Sequence, residues 1–221
     1  MMEQKIKIVT FDLDGTLVDA YRAVSQSLNY ALTMFQYPPI DDETIRRSVG
    51  WGDRHLMARF VKEDHVDRVL SVYRQHHKQA LKAGTKFLPG AKELLLKLKH
   101  QGYILTVASN RPTRFTQIIL KHLNIASVFN YVLCADKVKN PKPAGDLLLE
   151  TLKKFSLHCD QMIYVADMTI DVETGQAAGV KTIIVTSGSS TKQEIERLKP
   201  FRVIDHLSSV EDILEELKCY A

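Results

Sequence analysis

From Leu88-Pro89-Gly90 to the end of the chain, short apolar runs alternate with segments of helical period, and this alternation narrows the possible folds more than any other feature. Residues 103–108, 131–134, 162–165 and 180–185 are apolar at consecutive positions and too short for helices, so they predict buried strands. Between them, 91–100, 113–123, about 144–155 and 169–178 carry apolar residues at three- and four-residue spacings, as Leu94, Leu95 and Leu98 do before the Gln101-Gly102 stop. A weaker strand at 202–204 and a last helix at 209–217 complete the series. Strands that are apolar on both faces and alternate with helices imply a parallel sheet covered on both sides. Residues 5–11, Lys-Ile-Lys-Ile-Val-Thr-Phe, are the first strand, ended by Asp-Leu-Asp-Gly.

Between that strand and Gly84 the period is helical. Val18, Tyr21, Val24, Leu28, Ala31, Leu32 and Phe35 form one apolar stripe that Tyr37-Pro38-Pro39 ends, and Asp41 or Asp42 caps a second helix through Arg47. After Gly50-Trp51-Gly52 the pattern resumes with Leu56, Phe60, Val61, Val66, Val69, Leu70, Tyr73 and Leu81. The expected architecture is a Rossmann-like, doubly wound α/β core of residues 1–17 and 85–221, with an all-helical domain, 18–84, inserted after the first strand. Ser187-Gly188-Ser189-Ser190 reads as a loop past a strand end.

With 221 residues, 45% of them hydrophobic and 25% charged, the chain can bury a core and is neither disordered nor of low complexity. No apolar run approaches the roughly 18 residues that span a bilayer, and the first ten residues lack a signal-peptide core, so no membrane partner and a cytoplasmic location are expected. Cys134, Cys159 and Cys219 are odd in number and far apart, which fits reduced thiols better than disulfides or a zinc knuckle. Lys and Arg (30) exceed Asp and Glu (26) without gathering into a basic arm, so no nucleic-acid partner is expected and small anionic ligands are compatible. A monomer and a homodimer both fit this composition.

In a doubly wound sheet, ligands bind beyond the carboxyl ends of the strands. Those ends carry Asp12, Asp14, Gly15 and Thr16 after the first strand, Ser109 and Asn110 after the second, Lys142 in the loop after the third, and Asp167 with Asp171 after the fourth. Residues i and i+2 of an extended segment point to the same side, so Asp12 and Asp14 bring two carboxyl groups together, with Asp167 arriving from a neighbouring strand end. Such a cluster calls for a hard divalent cation such as Mg²⁺, which takes carboxylates, waters and substrate phosphate as ligands. Each aspartate alone reads as a turn or helix-cap residue; three at adjacent strand ends argue for a site. Carboxylate nucleophiles act in phosphoryl transfer through aspartyl-phosphate. Asp12 would attack phosphorus, Asp14 would serve as acid and then base, and Lys142, Ser109 and the Asn110 amide would hold the phosphoryl oxygens.

The assembled residues resemble the haloacid dehalogenase-like phosphatase superfamily. Phe11-Asp12-Leu13-Asp14-Gly15-Thr16-Leu17 is similar to its first motif, Ser109-Asn110 to its second, Lys142-Pro143 to its third, and Asp167 with Asp171 to its fourth. The resemblance spans the chain and implies a phosphate site that includes Gly15 and Thr16, an aspartyl-phosphate intermediate, and Mg²⁺ held by Asp12, the Asp14 main-chain carbonyl and Asp167. It also implies that Asp171 supports Lys142 or a metal-bound water. The helical insert resembles the subclass-I cap, and Ile45-Arg46-Arg47-Ser48-Val49-Gly50-Trp51-Gly52 is similar to the phosphoglycolate phosphatase subgroup. A small phosphorylated metabolite is the implied substrate.

Two stretches depart from the family pattern. Ala166-Asp167-Met168 stands where relatives read Gly-Asp-Ser or Gly-Asp-Thr, which implies weakened but retained metal binding, and Ala144-Gly145-Asp146 alters the start of a helix. Asp14 disfavours dehalogenase and phosphonatase chemistry. Pyrophosphatase, mononucleotide phosphatase, a β-phosphoglucomutase-like mutase and a non-catalytic phosphate-binding module remain as alternatives. In the cap, Arg46, Arg47 and Arg54 flank the Gly-Trp-Gly turn; Arg54 is the preferred grip for a substrate carboxylate, with a solvated helix face as the plain alternative. Trp51 either lines the pocket or anchors the cap. His76-His77 is expected at the surface.

Overall fold

A computed structural model describes residues 6–219; Lys5, the expected start of the first strand, and the side chain of Cys219 lie outside the described atoms. Four consecutive buried residues form β1 (Ile8–Phe11). The chain then makes a two-residue strand, β2 (Val18–Asp19), before four helices, α1 (Tyr21–Met34), α2 (Asp42–Arg46), α3 (Asp53–Ala58) and α4 (Val66–Gly84), and returns through β3 (Lys86–Phe87). β2 and β3 pair antiparallel, Val18 with Phe87 and Asp19 with Lys86. The expected helix start at Val18 is thus corrected: β2 occupies the first two positions, and a two-residue strand carries too little period to be read. Phe60 and Val61 also lie past the end of α3, where their amides both turn back to the Met57 carbonyl.

The alternation then follows as α5 (Ala91–His100), β4 (Ile104–Ser109), α6 (Thr113–His122), β5 (Tyr131–Cys134), α7 (Asp146–Phe155), β6 (Met162–Ala166), α8 (Thr169–Ala178), β7 (Lys181–Val185), α9 (Lys192–Arg197), β8 (Arg202–Ile204) and α10 (Ser209–Cys219). The six-stranded sheet is parallel in the order β5-β4-β1-β6-β7-β8, so the strand order reverses beside β1. α7 begins at Asp146, two residues later than expected, after a turn in which the Ala144 amide bonds to the Pro141 carbonyl.

Side chains alternate across the strands, as the pleat requires. Val9, Phe11, Leu105, Val107, Ile163 and Val165 pack against α5, α6 and α10, while Ile8, Ala108, Met162, Tyr164 and Ile184 pack against α7, α8 and α9. A third cluster, including Leu28, Leu32, Ile45, Met57, Val69 and Tyr73, belongs to α1–α4. That helical region is also tied to the sheet, because Ala23 of α1 and Ala80 and Leu81 of α4 join the first of the sheet clusters. The expected doubly wound parallel core with helices between its first two strands is what the chain forms. Among the described residues no helix is long and apolar enough to cross a membrane. Cys134 is buried and Cys159 exposed, both as free thiols.

Candidate active site

β1, β4 and β6 are neighbours, so the residues following them converge at one end of the sheet. The Asp12 amide continues the ladder by donating to the Val165 carbonyl, which fixes the backbone of Asp12 beside the end of β6. Asp12, Ser109, Asn110, Lys142, Asp167 and Asp171 are all buried.

Lys142 is the centre of this group. Its Nζ donates to Asp12 Oδ1 at 2.7 Å and to Asp171 Oδ1 at 2.8 Å. Asp171 Oδ1 also accepts from the Tyr164 hydroxyl at 2.6 Å and Asp171 Oδ2 from the Met168 amide at 3.1 Å, so this carboxylate is used up in holding the lysine and its own helix start. Burial tends to discharge an ammonium, yet the two carboxylates outweigh it and hold Lys142 well above its ordinary pKa. Burial pushes the Asp12 carboxyl up, with Lys142 opposing and Asp171 adding to the rise.

Asp167 is more exposed to this cost. Its Oδ1 accepts from the Thr16 hydroxyl at 2.6 Å, while its Oδ2 is buried with no hydrogen-bond partner. Burial first, then the charges of Asp12 and Asp171, push its pKa far above the carboxylate range. An uncompensated buried charge costs several kcal/mol. One carboxylate oxygen from each of Asp12, Asp167 and Asp171 lies within 4.8 Å of the others. A Cβ on Gly15 or on Gly188 would overlap the unpartnered Asp167 oxygen, so the backbone at both positions packs close to it and only glycine fits there. A cluster of hard oxygen donors, with one Asp167 oxygen left without a partner, fits a small divalent cation.

Asp14 is placed differently from the expected pair with Asp12. Its carboxylate turns to Arg111, which donates through Nε to Oδ2 at 2.6 Å and through Nη2 to Oδ1 at 2.8 Å. The carboxylate cluster draws its third member from Asp171 instead. Thr16 and Gly15 border Asp167, with the Ser187 hydroxyl donating to the Gly15 carbonyl at 2.6 Å. Asn110 uses its side chain to join elements: Nδ2 reaches the carbonyls of Gly50 (3.0 Å) and Lys142 (3.2 Å), and Oδ1 accepts from the Lys142 amide (3.0 Å). The Ser109 Oγ accepts from the Arg111 amide at 3.2 Å.

A cavity opens over these groups, lined by Asp12, Asp14, Ser109, Asn110, Arg111, Lys142 and Asp171 from the strand ends. From the helical region come Tyr21, Val24, Asp53, Leu56 and Tyr73, with Val49, Gly50 and Gly52 of the loop between α2 and α3. Trp51 and Arg54 are not among its walls: Trp51 is half-exposed against His55, and Arg54 reaches Glu63 and Asp67, each at 3.4 Å. Arg46 and Arg47 leave the cavity too. Arg46 Nη2 donates to the carbonyls of Ser187 (2.8 Å) and Gly188 (3.1 Å), and Arg47 binds the Ser189 carbonyl and forks Glu194 (2.7 and 3.1 Å). The unusual Met168 fills the space beneath Gly50, where a Cβ would overlap its sulfur and methyl, so the altered motif adds an apolar contact to the helical region.

Arg111, part of the family-like Ser109-Asn110-Arg111-Pro112 stretch, is a site residue for which the sequence suggested no role. The expected surface position of His77 is corrected: it is fully buried, stacked on Tyr73 with ring centroids 4.7 Å apart and edge-on to Phe115 at 5.0 Å.

A buried aspartate–lysine–aspartate set thus lies at the switch point of a parallel α/β sheet, the place where proteins of this architecture bind ligands. The chain belongs to the haloacid dehalogenase-like hydrolase family, whose model matches residues 9–185. It is 30% identical to the phosphoglycolate phosphatase of Haemophilus influenzae, covering 96% of this chain and 100% of that protein. It is 28% identical to phosphoglycolate phosphatase 1 of Pseudomonas aeruginosa, over 91% of this chain and 77% of that one. The crystal structure of a predicted phosphoglycolate phosphatase from Haemophilus somnus superposes with a TM-score of 0.89 at 27% identity, over 96% of this chain and 99% of the other.

Proposed function

We propose that the chain hydrolyses a small phosphomonoester through phosphorylation of Asp12, with residues 18–84 as a cap over the core of 1–17 and 85–221. The observation that carries this reading is a buried Asp12 bonded to Lys142, with a carboxylate oxygen of Asp167 within 4.8 Å of one of its own. The names of the relatives favour 2-phosphoglycolate as the ester.

One Asp12 oxygen attacks phosphorus and the bond to the ester oxygen breaks. The released electron pair stays on that oxygen, which takes a proton from Asp14 and leaves as the alcohol. Water then attacks the aspartyl-phosphate, gives its proton to Asp14, and releases inorganic phosphate and the Asp12 carboxylate. Lys142 offsets charge on Asp12 and on the phosphoryl oxygens, while Ser109 and the Asn110 amide offer them donors. Mg²⁺ would be held by Asp12, Asp167 and the Asp14 carbonyl, and when bound it supplies positive charge to the phosphoryl group.

The test is phosphate release from 2-phosphoglycolate, pyrophosphate, mononucleotides and hexose phosphates, with Mg²⁺ or EDTA. Release is expected with Mg²⁺, falling at least 1,000-fold in Asp12→Asn and disappearing in EDTA, an approximate magnitude for loss of a covalent nucleophile. Release that persists in Asp12→Asn would remove the aspartyl-phosphate route.

A further inference from the structure

Asp14 carries the proton in the proposed reaction, yet nothing in its own backbone fixes where its carboxylate points. Arg111 does. Its side chain is 9% exposed, and its Nε and Nη2 take both oxygens of Asp14 in a planar fork, a geometry that fixes direction as well as distance. The remaining terminal nitrogen, Nη1, lies 2.8 Å from His77 Nε2. A guanidinium can only donate, so His77 Nε2 is an acceptor here and its proton sits on Nδ1.

The other side of the ring agrees. His77 Nδ1 is 3.0 Å from Ser27 Oγ, and that hydroxyl spends its own proton on the Ala23 carbonyl at 2.7 Å, leaving it to accept from the imidazole. A single polar chain therefore runs from the α1 backbone through Ser27, His77 on α4 and Arg111 after β4 to Asp14 after β1. Ser27 Oγ also lies 3.1 Å from His76 Nδ1, a branch at the α1 end of the chain, and an uncharged His77 is the form that tolerates the cation beside it.

We infer that Arg111 and His77 are positioning residues that hold the Asp14 carboxylate in line for proton transfer, so that the seating of the helical region on the sheet sets the acid–base geometry. Neither residue touches the phosphorus or the nucleophile in this account; Arg111 acts through Asp14, and His77 acts through Arg111. The inference rests on the proposed role of Asp14.

Its signature is a dependence on the leaving group. An alkyl phosphate needs protonation of its departing oxygen, whereas p-nitrophenolate leaves unaided, and kcat/KM reports the steps through departure of the alcohol. With Mg²⁺ present, kcat/KM is measured for an alkyl phosphate and for p-nitrophenyl phosphate in the native chain, Asp14→Asn, Arg111→Met, Arg111→Lys and His77→Leu. The expected result is a loss of about tenfold or more on the alkyl ester in Arg111→Met and His77→Leu, with less than about a twofold change on the aryl ester, and a larger loss of the same kind in Asp14→Asn. Arg111→Lys keeps the cation but not the fork and remains impaired on the alkyl ester; it also serves if Arg111→Met does not fold. Equal losses on both esters, or none, in the Arg111 and His77 variants beside a selective loss in Asp14→Asn would overturn the positioning role alone. If Asp14→Asn itself shows no selectivity, the acid role and the inference fall together.

Discussion

His77 stands four residues after Tyr73 and four before Leu81, both buried on α4, so helical geometry places all three on one face. The sequence held that information, and the polarity of the residue type concealed it. Its neighbour His76 lies on the half-buried flank, stacked on Tyr30 and 3.1 Å from Ser27 Oγ. Burial pushes the pKa of His77 down from 6.5 to about 2, with the charge of Arg111 adding to the shift. Tyr73, Phe115 and Ser27 pack around the ring; the Ala23 backbone opposes the shift, His76 adds to it, and none of these groups carries a negative charge. Below pH 6.5 the unfolded chain binds a proton that the folded chain refuses, so this residue makes stability rise with pH up to about 6.5 and level off above it. The contribution lost is about 1.4 kcal/mol per pH unit on the way down. Urea unfolding at pH 7 and pH 5 should therefore show a shallower pH dependence in His77→Gln by about that slope; identical slopes would place the ring in contact with water.

At the scale of elements, β1 and the turn after it were legible because an unbroken apolar run ends abruptly in Asp-Leu-Asp-Gly. β2 and β3 were not, since a pair of residues supports no period. The carboxylates of Asp12, Asp167 and Asp171 were legible as strand-end residues, but the turning of Asp14 toward Arg111 depends on contacts between positions nearly a hundred residues apart. The loop after β7 was readable only as flexible Ser and Gly. In the fold it closes one side of the carboxylate cluster, where Gly188 leaves no room for a methyl beside Asp167 Oδ2. The native chain is expected to gain Tm with Mg²⁺, because ligand binding to the folded state alone stabilises it by mass action, and Gly188→Ala is expected to lose that gain. Thermal scans with and without EDTA make the comparison, and an undiminished Mg²⁺ shift would mean that the cation sits elsewhere.

Across the whole molecule, strand–helix alternation foretold the doubly wound core, since each short run had a single way to be buried. How the helices of 18–84 join that core could not be read, because the joining residues look like any other members of an apolar stripe. Leu81 is fully buried in the same cluster as Phe11, Val107 and Val165 while belonging to α4. Leu81→Ala is expected to cost about 2–5 kcal/mol and to lower Tm by roughly 4–20 °C. Far-UV circular dichroism and Trp51 fluorescence should still report one midpoint in this variant; separate midpoints would show that the helices unfold by themselves. Arg46 and Arg47 are fastened to the carbonyls of Ser187, Gly188 and Ser189, the stretch that walls Asp167. Moving α2 off the sheet would break those fastenings, so access to the cavity and the shape of the carboxylate cluster are mechanically tied.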